Sequence, residues 1–261
     1  MNVTNYLKRI NYHGKIEPTL SVLSDLQLAH LLSVPFENLD IHNKVKLDLD
    51  RTYEKIVEKN RGGFCYELNS VFYLLLQQLG FNAWMVSARV FNNEKNSYGA
   101  EFDHMAIIVR IDSTDYLVDV GFGEFAFHPL EIHLDVEQDD ARGKFRIGQG
   151  DGDYLVASKK NIAGDFLPEY KFTMTERKLN DYLLMCEYHQ TSPDSHFTQK
   201  RICSLATKEG RITLTNSTLK ITSRGRVEEK ELADETEVTE VLKNYFNVDL
   251  AVVVRPEQLQ I

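Results

Sequence analysis

Apolar residues recur at helical spacing through the first third of the chain and at strand spacing after it. Leu20, Leu23, Leu26 and Leu31 follow Thr19, which predicts a capped helix ending before Pro35. Tyr53, Ile56 and Val57 predict a second helix, opened by Asp50 and ending near Asn60. Leu68, Val71, Phe72, Leu75 and Leu79 predict a third, which starts at Cys65 and stops at Gly80. Past Gly80, residues 83–91, 104–111 and 115–122 are rich in β-branched and aromatic side chains and bounded by Asn, Asp, Ser and Gly, so they read as strands. Further strands are expected over residues 144–147, 154–158 and 170–175, and a helix over 176–190. Four more strand-like pieces (201–206, 211–214, 218–222 and 226–232) precede a helix opened by Asp234 and carrying Val238, Val241, Leu242, Tyr245 and Phe246. Helices, then antiparallel strands, then a small mixed unit make an α+β fold rather than an alternating parallel one. The expected division is 1–80 for a helical bundle carrying a reactive cysteine, 81–190 for an antiparallel β domain carrying a histidine and an aspartate, and 191–261 for an α/β lid.

A net charge of −9 argues against nucleic acid or an anionic membrane as partner, since both call for a basic footprint. Any phosphorylated cofactor must then be cradled locally, by backbone N–H groups and a few Lys or Arg. Three cysteines without paired spacing fit a reducing compartment, and Met1 to Ile10 lacks a signal-like apolar run, so a cytoplasmic protein is expected. Oligomeric state is left open.

The most informative stretch is R-G-G-F-C-Y-E-L-N, from Arg61 to Asn69. Two glycines precede a cysteine that opens a helix, where free N–H groups and the positive end of the dipole favour a thiolate. The Gly62-Gly63 turn is expected to be flexible enough to let a substrate approach. A lone cysteine is more often a small buried hydrophobe; that reading is kept for Cys186 and Cys203, which have neither glycines nor a helix start beside them.

A nucleophilic thiol needs a base and something to orient it. His104 opens the apolar stretch Met105-Ala106-Ile107-Ile108-Val109, and Asp119 is the odd carboxylate in Y-L-V-D-V-G-F-G. Burying that aspartate without a partner would cost several kcal/mol. Cys65, His104 and Asp119 therefore form a candidate nucleophile, base and orienter. One register test is awkward: a two-residue turn at Ser113-Thr114 sets Asp119 opposite Ile108, roughly 13 Å along the strand from His104. The set then requires a longer turn, a bulge or a bend. His189 and His196 bracket a Ser192-Pro193 loop without a carboxylate or cysteine cluster at ligand spacing, so no metal is expected. The other five histidines show no company in sequence.

These motifs resemble those of the arylamine N-acetyltransferases over nearly the full length. R-G-G-F-C-Y-E-L-N is similar to the family's cysteine motif, P-F-E-N-L from Pro35 to Leu39 to its upstream signature, V-D-V-G-F-G from Val118 to Gly123 to its aspartate motif, and S-P-D-S-H-F from Ser192 to Phe197 to its later loop. The resemblance implies a helical bundle, a β-barrel-like middle domain and an α/β lid around a Cys-His-Asp core of the cysteine-protease and transglutaminase kind. It implies catalysis by Cys65, His104 and Asp119, acetyl-CoA as co-substrate without a metal, and transfer of the acetyl group through an acetyl-cysteine to arylamines, arylhydroxylamines or hydrazines. Xenobiotic metabolism is the role that goes with it. Gly121 and Gly123 are then expected to let backbone approach the cofactor, with a plain strand-ending turn as the alternative; Phe122 is expected to face the aromatic substrate. Glu37 and Arg61 look like a structural pair holding the Cys65 loop, the alternative being two separate surface charges. The chain runs only to Ile261, so cofactor contacts from a long C-terminal tail are not expected.

Two rival functions use the same residues. A cysteine hydrolase or transglutaminase-like acyltransferase would act on peptide amides without acetyl-CoA. A binding protein could keep the fold and lose the chemistry, although drift would be expected to touch at least one of the three residues.

Overall fold

Thr19 does cap a helix, its side chain accepting from the Val22 N–H. The structure, a computed structural model, describes residues 1–250 of the 261; the expectation about the C-terminal tail falls on residues outside these. The chain begins with α1 (Val3–Arg9), α2 (Leu20–Ser33), the two-residue strand β1 (Phe36–Glu37) and the single-turn α3 (Leu39–His42). The helix expected behind Asp50 is instead a 3-10 turn at Leu49–Arg51 followed by a wide turn at Glu54–Glu58. Asp48, not Asp50, caps it. Ile56 and Val57 are buried there as the pattern requires, and the widened backbone swings Lys55 inward. Then α4 (Cys65–Gln78) starts at the cysteine, and Gly80 follows it with a φ of +85°, the left-handed conformation that ends a helix.

The antiparallel region comprises β2 (Asn82–Asn92), β3 (Ser97–Tyr98), β4 (His104–Ile111), β5 (Thr114–Val118), β6 (Leu130–Glu131), β7 (Glu137–Asp140), β8 (Gly143–Gln149), β9 (Leu155–Lys160) and β10 (Phe166–Phe172). Their order is β6-β5-β4-β2-β10-β9-β8-β7, with β3 added to β2. A parallel bridge from Leu134 to Ile147 folds the chain after β6 onto β8, so the sheet nearly closes into a barrel. The helix expected over 176–190 is a 3-10 turn at Leu179–Tyr182 running into α5 (Leu183–Thr191), after which comes the short α6 (His196–Gln199). Last, β11 (Ile202–Thr207), β12 (Gly210–Thr215), β13 (Thr218–Ser223) and β14 (Arg226–Glu231) form a meander under α7 (Glu235–Phe246). Asp234 caps α7 by accepting from Thr236 and Glu237.

Strand β4 explains how the pieces are held. Ile107 and Val109 pack on one side against Leu26, Phe72 and Leu75 of the helices. Ala106 and Ile108 pack on the other, inside the barrel, with Phe145, Tyr170 and Phe172. A strand covered on both faces reads as an unbroken apolar run, which is why it was legible. Each such fully buried side chain contributes about 1.5–3 kcal/mol. In the C-terminal sheet the apolar face of α7, led by Val238, Leu242 and Phe246, covers Cys203, Leu214 and Leu219. Strand β1 joins that sheet beside β11, pairing Phe36 with Ser204 and Glu37 with Cys203. The P-F-E-N-L segment thus lies between the cysteine loop and the C-terminal sheet.

Candidate active site

The four sequence motifs meet at Cys65. Gly63 donates to Pro35 C=O and its own carbonyl accepts from Glu37 N–H, which lays the Arg61-Gly62-Gly63 segment along β1. A Cβ on Gly62 would stand 2.1 Å from the Pro35 carbonyl oxygen, and one on Gly63 would stand 2.7 Å from Glu67 Cβ. The glycines therefore permit close packing of two backbones; the flexible turn expected from the sequence is not what they provide. Asn38 donates to Phe197 and Lys200 carbonyls and accepts from Ile202 N–H, tying the same motif to the later Ser-Pro loop.

Beneath the loop lies a buried charge network. Arg61 donates to Glu37 Oε1 through Nε at 3.0 Å and Nη2 at 2.7 Å, and to Asp40 Oδ1 at 2.8 Å. Glu37 is fully buried and Arg61 nearly so, so the two are a joined pair and not separate surface charges. Lys55 completes the group, 2.9 Å from both Asp40 and Glu67. Burial lowers the Lys55 and Arg61 pKa values, but the surrounding carboxylates outweigh it and both end above their ordinary ranges. Burial pushes Glu67 up to about 7. Its carboxylate also accepts from Phe64 N–H, one residue before the nucleophile, and so fixes the start of α4.

His104 and Asp119 are in contact. His104 Nε2 lies 2.7 Å from Asp119 Oδ2, and both residues are buried. The register differs from the awkward one. Ile111 pairs with Thr114, so the turn is Asp112-Ser113, with Asp112 at a φ of 53°. Aspartate tolerates that left-handed conformation; β-branched Thr114 does not. The shift brings Asp119, just past β5, opposite Ala106 and onto the barrel face that His104 shares. No bulge is needed. Asp119 Oδ1 in turn accepts from Asn69 Nδ2 at 2.9 Å and Gly121 N–H at 2.8 Å. Asn69 also donates to Met105 C=O and accepts from Val120 N–H, so one side chain of α4 locks both strands that carry the candidate base and its orienter.

Cys65, His104, Gly121, Phe122 and Gly123 line one cavity of about 770 Å³. A Cβ on Gly121 would meet Cys65 Cα at 2.8 Å, so this glycine lets the aspartate loop abut the helix start. Its N–H donates to Asp119 Oδ1. Around Gly123 a Cβ would meet nothing, and its carbonyl accepts from Arg211. Phe122 packs edge-on against His104, with ring centroids 5.2 Å apart, and against Tyr170. The Cys65 thiol does not follow the expectation of an acidified group. Burial first, then the charges of Asp103 and Asp119, push it well above the ordinary thiol range; a hydrogen bond from Met105 backbone pulls the other way. The helix start alone is thus outweighed, and ionisation has to be accompanied by proton transfer to an acceptor in the cavity.

Among known proteins, a family model described as N-acetyltransferase matches residues 19–254. The chain is 34% identical to the chicken arylamine N-acetyltransferase pineal gland isozyme NAT-10, over 96% of this chain and 95% of that protein. This chain belongs to the arylamine N-acetyltransferase family. Human arylamine N-acetyltransferase 1 is 31% identical over 96% of this chain and 95% of its own. Among solved structures, the arylamine N-acetyltransferase of Mycobacterium tuberculosis superposes with a TM-score of 0.90 at 29% identity, covering 99% of this chain and 98% of that one. The Mycobacterium marinum enzyme in complex with CoA does so with a TM-score of 0.88 at 31% identity, covering 97% and 95%.

Within this arylamine N-acetyltransferase fold several site residues escaped sequence reasoning. Asn69 lies four positions after Cys65 on the same helical face, a spacing that was available as a signal. Asp40, Lys55 and Glu67 gave none, because their charged partners lie twelve or more positions away along the chain. His30 is bonded to Tyr6 Oη and His128 to Asp140, partners that sequence did not disclose. Among the described residues no group of three or more His, Cys, Asp or Glu side chains is arranged to hold a metal, and no helix is long and apolar enough to span a membrane.

Proposed function

We propose that this N-acetyltransferase takes an acetyl group from acetyl-CoA onto Cys65 and passes it to the nitrogen of an arylamine, arylhydroxylamine or hydrazine. The observation that carries the reading is that Cys65 and His104 line one cavity, with the buried carboxylate of Asp119 holding His104 through Nε2. That hydrogen bond leaves Nδ1 as the basic nitrogen. In the first step Nδ1 takes the Cys65 proton as sulfur attacks the thioester, the new C–S bond forms, and CoA departs with the proton that His104 returns to its sulfur. In the second, the amine nitrogen attacks the acetyl carbon, its proton goes to His104, and the C–S bond breaks to regenerate the thiolate. Asp119 holds the tautomer and stabilises the imidazolium. The Cys65 N–H at the helix start is a donor for the tetrahedral oxyanion. Aromatic amines suit this route because they are largely unprotonated at neutral pH. A net charge of −9 offers no basic footprint for nucleic acid or an anionic membrane and suits an enzyme acting on small amines, as in xenobiotic metabolism in the cytoplasm.

Iodoacetamide tests the pairing without any acyl donor. Cys65 opens on the cavity, whereas Cys203 is fully buried in the C-terminal core and Cys186 sits on the buried face of α5, off the cavity. Cys65 is expected to be alkylated at least about tenfold faster than either, and His104→Ala to slow that labelling by a similar factor. Peptide mapping reads both rates; equal rates in the parent and the His104 variant would contradict the pairing.

A further inference from the structure

A second set of hydroxyl, imidazole and carboxylate lines the cavity, and the acetyl-transfer chemistry leaves it unused: Ser195, His189 and Asp103. Ser195 caps the short α6 and is buried, with Oγ 3.1 Å from Nδ1 of buried His189 on α5. Ser195 Oγ accepts from Phe197 N–H, so its own proton is directed at His189 Nδ1, and the ring hydrogen sits on Nε2. That Nε2 is 3.2 Å from Asp103 Oδ1. The pair is not aligned to close a full hydrogen bond, yet Nε2 has no other partner among the described residues. Contacts of this kind are often loose before substrate binds and tighten afterwards. The carboxylate reaches this place because Gly99 has no side chain: a Cβ there would come within 2.3 Å of Asp103 Oδ2. Protons thus run from Ser195 to His189 Nδ1 and from His189 Nε2 towards Asp103. His104 has the same polarity, with Nε2 committed to Asp119.

The surrounding rings indicate the class of substrate. Phe197 stands edge-on to His189 with centroids 5.2 Å apart, Tyr188 packs on the same ring at 5.4 Å, and both line the cavity. An aryl group seated there has aromatic neighbours on the side of the hydroxyl. We propose that Ser195, His189 and Asp103 form a second catalytic centre, a serine esterase that hydrolyses aryl esters of short carboxylic acids. Ser195 Oγ attacks the ester carbonyl as its proton passes to His189 Nδ1. The Oγ–C bond forms, the ester C–O bond breaks, and the phenol leaves with the proton that His189 returns. Water then attacks the acyl-serine and gives a proton to His189. The C–Oγ bond breaks, the acid departs, and His189 restores the proton to Ser195. Asp103 orients the imidazole and stabilises its charged form. No step uses Cys65, so the centre stands apart from the acetyl-transfer reading above.

The test removes the thiol first. In a Cys65→Ala protein a fluorophosphonate probe, which traps activated serines, is expected to label Ser195, as located by peptide mapping. The same protein is expected to hydrolyse p-nitrophenyl acetate at least about tenfold faster than Cys65→Ala combined with Ser195→Ala. Adding His189→Leu to Cys65→Ala is expected to slow both labelling and hydrolysis by a similar factor, because the base is gone. Adding Asp103→Asn, which leaves the α6 cap intact, is expected to lower both as well. Labelling needs no change at Ser195, so it decides the matter even where the Ser195→Ala protein fails to fold. A Ser195 that only caps α6 would take no probe. No adduct on Ser195, labelling undiminished by His189→Leu, or equal hydrolysis with and without Ser195 would each overturn the centre.

Discussion

Asp119→Asn is expected to lower kcat/KM about 10³- to 10⁴-fold while the protein still folds. The size follows from a forced orientation. Asp119 Oδ1 accepts from Asn69 Nδ2 and from Gly121 N–H, so the carbonyl oxygen of an asparagine must occupy that place. Its amide nitrogen then faces His104 Nε2 and donates to it. The ring proton is driven onto Nδ1, the atom that has to take the Cys65 proton. Shape and packing are nearly unchanged, and the base is in the wrong tautomer. Steady-state kinetics with an acetyl donor and an arylamine measure the loss, and a melting curve shows whether the fold persists. A loss below about tenfold in a folded variant would mean that Asp119 does not set the state of His104.

Arg61→Ala carries the largest expected effect on stability. The guanidinium neutralises Glu37 and Asp40 in a region where Glu37 is wholly buried, and Lys55 alone would be left to serve three carboxylates. Breaking a buried pair by removing one partner costs about 3–5 kcal/mol. For a chain of this size that corresponds to a melting temperature lower by roughly 6–20 °C. Arg61→Lys is expected to recover only part of it, because an ammonium cannot reproduce the three hydrogen bonds that the planar fork makes. Glu37→Gln is expected to act in the same direction, weakening activity chiefly through the order of the Cys65 loop. An Arg61→Ala protein melting within about 2 °C of the parent would contradict the role assigned to the network.

What the sequence disclosed follows from where periodicity is strong. α4 was legible because its apolar positions face a core while its first residue is a cysteine after two glycines. β4 was legible because it is buried on both sides. Charged β7, with the sequence Glu-Gln-Asp-Asp, has no apolar pattern and exists only through pairing with β8, so no local signal announced it. The hairpin register turned on whether Asp112 or Thr114 enters the turn, a one-residue choice that moves every partner by two and decided whether His104 and Asp119 meet. The ionisation of Cys65 was misjudged for a physical reason: position at a helix start is a local property, whereas burial and the approach of Asp103 are tertiary ones.

The central claim is that Cys65 carries the acetyl group. Intact-protein mass spectrometry after mixing with acetyl-CoA, and again after adding an arylamine, tests it most directly. The account predicts a gain of one acetyl group, located on Cys65 by peptide mapping, that disappears as the amine becomes acetylated. No adduct on a Cys65 that still reacts with iodoacetamide would contradict it and point to a different acyl donor, such as a peptide amide.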